Sequence, residues 1–153
     1  MSQKLTCHLT DELSGENYKQ FLKFAFEYSN YFSISTFKHI RKKDLLDSYY
    51  DFLSKVQPYE VDTYKFKQLA EHYERGQTIH TYALNADTKK IIKNTIVGGV
   101  YDWMLPALPE DLSFYKGKKV WYNSISHAKI SNIVNYDDEL LKKLEPFSPV
   151  FII

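Results

Sequence analysis

Both tryptophans of this 153-residue chain, Trp103 and Trp121, fall in one stretch, and that stretch limits the possible folds more than any other. From Tyr101 to His127 it reads YDWMLPALPEDLSFYKGKKVWYNSISH. A helical pattern closes at Asp102, Trp103 and Met104. Pro106 and Pro109 then stop it, because each lacks an N–H and disfavours helical geometry in the residue before it. Leu112 to Tyr115 has the character of a strand. Lys116 to Lys119 supplies a turn in which Gly117 is free to take a positive φ. Val120 to His127 reads as the returning strand. Along it Trp121, Asn123, Ile125 and His127 point to one face, and Val120, Tyr122, Ser124 and Ser126 to the other. A helix feeding a β-hairpin through a rigid proline corner calls for a mixed fold.

The rest of the chain agrees. Tyr18, Phe21, Leu22 and Ala25 recur at helical spacing and predict a helix from about Gly15 to Asn30, capped by Ser14 or Asp11. Leu45, Leu46, Tyr49, Phe52, Leu53 and Val56 predict a second helix over 43–56, ended by Pro58. Ile91, Ile92, Thr95, Ile96, Val100 and Trp103 predict a third over 87–104. Gly98 and Gly99 interrupt it and mark close packing or a kink, at roughly 1 kcal/mol each against alanine. Leu140, Leu141 and Leu144 predict a short last helix, capped by Asn135 or Asp137 and ended by Pro146. Phe32 to Phe37 and Gln77 to Leu84 read as strands. Residues 59–73 fit strand and helix equally, and Ala128 to Val134 prolongs the hairpin's second strand. The first twelve residues read as loosely held, and the apolar tail Ser148 to Ile153 as docked as a strand, plugging the core or contacting a partner. The expected fold is α+β in one domain over residues 1–153: a mainly antiparallel sheet, helices on one face, and a C-terminal β-α-β-β-α unit.

Composition narrows the function classes. Lysine and arginine number 20 against 19 aspartate and glutamate residues, which gives no electrostatic case for nucleic acid or a membrane surface. No apolar run reaches the length of a membrane span, and the polar N-terminus predicts no signal peptide, so the expected location is the cytosol. Cys7 is the one cysteine, which excludes an internal disulfide. The 13 tyrosines and 10 phenylalanines fit either a contact surface or the codon bias of an AT-rich genome.

Chemistry is sparse. His127, with Glu110, Asp111, Ser124 and Ser126 nearby in sequence, is the strongest catalytic candidate. Glu110 or Asp111 reaches it only if the hairpin folds that way, and Ser126 sits on the opposite strand face. His80 and His127 facing each other across the sheet would make a metal site with a carboxylate. Asp44, Asp47 and Asp51 line one helix face without a histidine, and Lys38 to Lys43 is a basic run; both read as solvated surfaces. No phosphate-binding, zinc-protease, EF-hand or kinase motif occurs, and neither a cofactor nor a metal is expected. The Pro106–Asp111 corner is rigid and therefore cheap to order on binding. Pro106, Pro109, Glu110, Asp111 and Tyr115 are the expected partner-binding residues.

The pattern Tyr101-x-Trp103-x-x-Pro106-x-Leu108-Pro109-Glu110-Asp111-Leu112-x-Phe114-Tyr115, followed by Gly117, Trp121, Ser124 and His127, resembles a group of small uncharacterised proteins of low-GC Gram-positive bacteria, many labelled stage III sporulation protein AH. The likeness is densest over residues 101–127 and extends weakly back through Gly76 to Leu84. In those proteins a Glu follows the histidine, whereas Ala128 stands here. The resemblance implies a shared fold and carries no activity. With the neutral charge and the lack of a catalytic motif, it points to a small cytosolic protein-binding module, an inhibitor or immunity-type protein blocking a toxin or defence enzyme, rather than an enzyme. The alternatives are a small-ligand or nucleotide-binding protein, with a pocket between the 87–104 helix and the hairpin, and a hydrolase using His127 with Glu110 or Asp111.

Overall fold

The computed structural model describes residues 13–63 and 76–147, and the backbone of residues 4–8. Seven strands form one sheet: β1 (Lys4–His8), β2 (Tyr31–Phe37), β3 (Glu60–Val61), β4 (Gln77–Ala83), β5 (Glu110–Lys116), β6 (Lys119–Ile125) and β7 (Ile130–Val134). They lie in the order β1-β7-β6-β5-β2-β4-β3, each pair antiparallel. Among the described residues four α-helices accompany them: α1 (Gly15–Tyr28), α2 (Asp47–Val56), α3 (Ala86–Asn94) and α4 (Asp138–Lys143). The α+β class is the one the hydrophobic periodicities predict.

Each helix buries one stripe against the same side of the sheet. Tyr18, Phe21, Leu22 and Ala25 of α1 join Phe52 and Val56 of α2, Ile92 of α3, and Leu140 of α4 in one core with Phe32, Ile34, Tyr82, Phe114 and Ile133 of the strands. Phe21 is the hub, with ring centroids 4.8 Å from Tyr122 and 6.0 Å from Trp121. Both tryptophans are core residues whose indole N–H groups are satisfied: Trp103 donates to Tyr18 Oη at 2.9 Å, and Trp121 to Ser29 Oγ at 2.8 Å. The opposite face holds a smaller apolar cluster of Tyr115, Val120 and Val134, with Tyr31 and Val61 against it, among small and polar side chains. There the Tyr115 hydroxyl donates to Ser33 Oγ, Gln77 to Ser35 Oγ, and Asn132 to Asn123 Oδ1.

Several boundaries differ from the sequence reading, each for a local reason. The helix expected over 87–104 ends at Asn94: Thr95 Oγ1 donates to the Ile91 carbonyl, its N–H turns back to Ile92, and a 3-10 turn at Val100–Asp102 follows a loop. Gly99 marks close packing, since it forms an isolated β-bridge with Ser14. The 43–56 helix begins only at Asp47, after a 3-10 turn at Lys42–Asp44. Residues 4–8 are not loose: they pair with β7. The returning hairpin strand stops at Ile125. A 3-10 turn at Ser126–Ala128 and a left-handed Lys129 (φ 52°) turn the chain into a separate β7, so the C-terminal unit is β-α-β-β-β-α. The strand alternation fails at Trp121 because β6 carries an extra residue there: Phe114 pairs with Tyr122 and Tyr115 with Val120. That bulge turns Trp121 and Tyr122 together toward α1. The expectations for 64–73 and for the apolar tail lie outside the described residues.

Candidate functional site

Strand β5 also carries an extra residue at its start. Ser33 of β2 pairs with Ser113, but Ser35 pairs with Glu110, so two steps on β2 face three on β5. Asp111 absorbs the difference with a φ of 62°, a left-handed conformation that aspartate tolerates better than most residues. Adjacent carboxylates on a regular strand point to opposite faces; the bulge removes that constraint. The 3-10 turn after β6 closes onto the same place. Ser126 N–H donates to Asp111 Oδ1 at 2.8 Å, and Asp111 N–H donates to Ser126 Oγ at 3.4 Å.

The result is a cluster. One donor atom each from Glu110, Asp111 and His127 lies within 4.8 Å of the others. Glu110 and Asp111 are 7% and 8% exposed, while the His127 side chain is 47% exposed and opens the cluster to solvent. Glu110 Oε1 stands 3.6 Å from His127 Nδ1, an ion-pair distance longer than a hydrogen bond, and its Oε2 accepts from Leu105 N–H at 3.3 Å. Ser126 is buried with its hydroxyl facing the Asp111 amide, and Ser124 Oγ donates to the Leu112 carbonyl at 2.7 Å, so each serine has a structural partner.

Leu105 links this cluster to a cleft of about 870 Å³ on the helix side. Phe52 of α2, Ile91 of α3, Val97, Met104, Leu105 and Leu108 give it apolar walls, and Lys55, Lys90, Asp51 and Asp102 give it charge. Asp102 Oδ2 accepts from the N–H groups of Gly98 and Gly99 at 2.8 and 3.0 Å, which holds the loop forming one wall. The start of α2 holds the opposite wall: Leu46 N–H donates to the Pro106 carbonyl at 3.0 Å and Ser48 Oγ to the Ala107 carbonyl at 2.7 Å. A pocket beside the third helix was expected. Its second wall is α2 and the proline corner, not the hairpin.

The five expected partner-binding residues do not share a surface. Pro106 is exposed at the cleft, Pro109, Glu110 and Asp111 are buried beside His127, and Tyr115 is 0% exposed on the opposite face of the sheet. Tyr18, Tyr49, Tyr82 and Tyr122 are buried as well, whereas Tyr28, Tyr31, Tyr59, Tyr101 and Tyr136 are partly exposed and Tyr50 is 40% exposed. His80 does not face His127, because β5 and β2 lie between their strands. Its Nε2 is 2.9 Å from Thr36 Oγ1 and its Nδ1 is 3.0 Å from Glu60 Oε2, a network joining β2, β4 and β3. Sequence reasoning missed this network; the one signal was the strand alternation placing His80 on the face of Tyr82. Asp44 and Asp51 are exposed and engage Arg41 and Lys55, each at 2.9 Å.

No protein-family model, curated protein or solved structure matches the chain. Among the described residues no helix is long and apolar enough to cross a membrane.

Proposed function

We propose that the chain is a protein-binding module whose cleft between α2, α3 and the proline corner receives an apolar segment of its partner. The placement of exposed apolar side chains supports this reading. Ile96, 98% exposed, and Met104, 37% exposed, stand on the cleft rim. Leu46, 52% exposed, adjoins Pro106 through its own backbone hydrogen bond. Exposed apolar groups gathered around a groove mark an interaction site more strongly than the same groups scattered singly. The partner captured by the wild-type chain should bind roughly 10-fold or more weakly to Ile96→Asp and to Met104→Gln. Both variants should keep the wild-type circular dichroism. Equal retention by both variants refutes the cleft as the interface. An inhibitor or immunity-type role predicts that the captured protein is an enzyme and loses activity when bound. A small molecule that raises the melting temperature and displaces the partner would make the cleft a ligand pocket instead.

A second reading, hydrolysis at His127, draws on the convergence of Glu110 and Asp111 with it. Glu110 would orient Nδ1 and leave Nε2 to deprotonate a water, closing the 3.6 Å gap when substrate binds. His127→Ala should then abolish turnover and leave partner capture unchanged. Activity surviving that substitution ends the reading.

A further inference from the structure

We propose that Glu110, Asp111 and His127 form a divalent-cation site, with two carboxylate oxygens and one imidazole nitrogen as ligands and water in the remaining positions. The inference shares residues with the hydrolase reading but does not rest on it, because binding needs no turnover. It departs from the sequence expectation of no metal.

Three observations carry it. The first is convergence of the donors from two backbone irregularities. The β5 bulge with left-handed Asp111 brings adjacent carboxylates together, and the 3-10 turn at Ser126–Ala128 delivers the imidazole to them. The second is spacing. Metal bonds of about 2.0–2.2 Å place neighbouring ligand atoms about 3–3.5 Å apart and opposite ones about 4.2 Å apart. The 3.6 Å between His127 Nδ1 and Glu110 Oε1 is already close to the neighbouring-ligand spacing, and donors that all lie within 4.8 Å need side-chain rotations that close their gaps by about 1–2 Å at most. The third is burial. Two neighbouring carboxylates, 7% and 8% exposed, repel each other where water screens them poorly, and a dication between them offsets that repulsion. The half-exposed imidazole leaves a path for the ion and room for its waters.

The donor set also selects the ion. Imidazole with carboxylates suits zinc or manganese, while magnesium and calcium favour all-oxygen shells.

The test is titration calorimetry of the chelator-treated full chain with Mn²⁺ and with Zn²⁺, with no substrate present. Saturable binding at one ion per chain is expected, tighter for both than for Mg²⁺ by roughly 10-fold or more. Asp111→Asn keeps the left-handed preference and the acceptor for Ser126 N–H but removes the charge. His127→Ala changes an exposed side chain. Each should weaken binding by at least the roughly 10-fold that loss of an outer-shell partner costs a metal site. Absence of saturable binding by the wild type overturns the proposal. So does binding that neither variant weakens, which would place the ion elsewhere, and so does a preference for Mg²⁺.

Discussion

Replacing Gly99 with alanine should destabilise the protein by about 2–3 kcal/mol, although Gly99 has an extended backbone that any residue adopts. The cause is distance. A Cβ at Gly99 would lie 2.5 Å from the Leu13 carbonyl oxygen and 3.0 Å from Ser14 Cα, about 0.9 Å inside ordinary contact for the first. Both neighbours are backbone, so no side-chain rotation relieves the overlap. The same carbonyl accepts from Val100 N–H at 3.1 Å, and Gly15 N–H donates to the Gly98 carbonyl at 2.7 Å. Opening the gap lengthens one or both bonds beyond useful range, at about 1 kcal/mol each. It also draws Leu13 and Val100 out of the core, for about 1–2 kcal/mol more. Against this stands about 0.4–1 kcal/mol from the smaller entropy of the unfolded alanine chain. Urea unfolding with unchanged slope measures the difference. Gly117→Ala is the control: among the described residues its Cβ would meet nothing within 4 Å, but its φ of 58° costs alanine about 1 kcal/mol. If Gly99→Ala proves no worse than Gly117→Ala, the bridge to Ser14 does not hold the 95–99 loop. If it is worse as calculated, partner binding at the cleft should fall too, because Val97 and Gly98 line it.

Alkaline stability should depend on Tyr18. Burial pushes its phenol up to about 12 from 10.0, so the folded state holds that proton more tightly than the unfolded chain. Its contribution is therefore complete below pH 10 and is lost as pH rises toward 12, a window over which Tyr82, also raised by burial, acts in the same direction. Tyr18→Phe should flatten the fall of unfolding free energy between pH 10 and 12 while lowering stability at pH 7 by about 1–3 kcal/mol, because Trp103 Nε1 loses its acceptor; an unchanged slope would refute the assignment. Thr81→Val should leave stability unchanged or raise it by up to about 1–2 kcal/mol, since among the described residues Thr81 Oγ1 is buried without a hydrogen-bond partner. A clear loss in thermal unfolding would mean that this hydroxyl has a role.

Periodicity read from the sequence works where one element meets one surface, and the site is built where it does not. The stripe Tyr18, Phe21, Leu22, Ala25 needed no knowledge of its partner to be recognised as buried. The third helix was drawn too long because Ile96 and Val100 continue the apolar spacing past Asn94; spacing cannot tell that Ile96 faces solvent while Val100 returns to the core through a loop. The two bulges were hidden for a deeper reason. A bulge is a property of a pair of strands, set by the register of β2 against β5 and of β5 against β6, and neither strand alone records it. Glu110, Asp111 and His127 were therefore legible as candidate partners, while the register that brings all three together was not. Strict alternation would have sent the two carboxylates to opposite faces and carried His127 onward along a strand. Tyr115 shows the reverse error, a residue chosen for its place in a distinctive motif but buried by the pleat of the strand carrying it. An irregularity retained at the entrance of β5 and another at the exit of β6 both spend regular pairing at one spot, and their common product is three polar donors facing one another. Regular hydrogen bonding through this region would have built the sheet without bringing those donors together, and that is the physical reason to test this spot first for a bound cation.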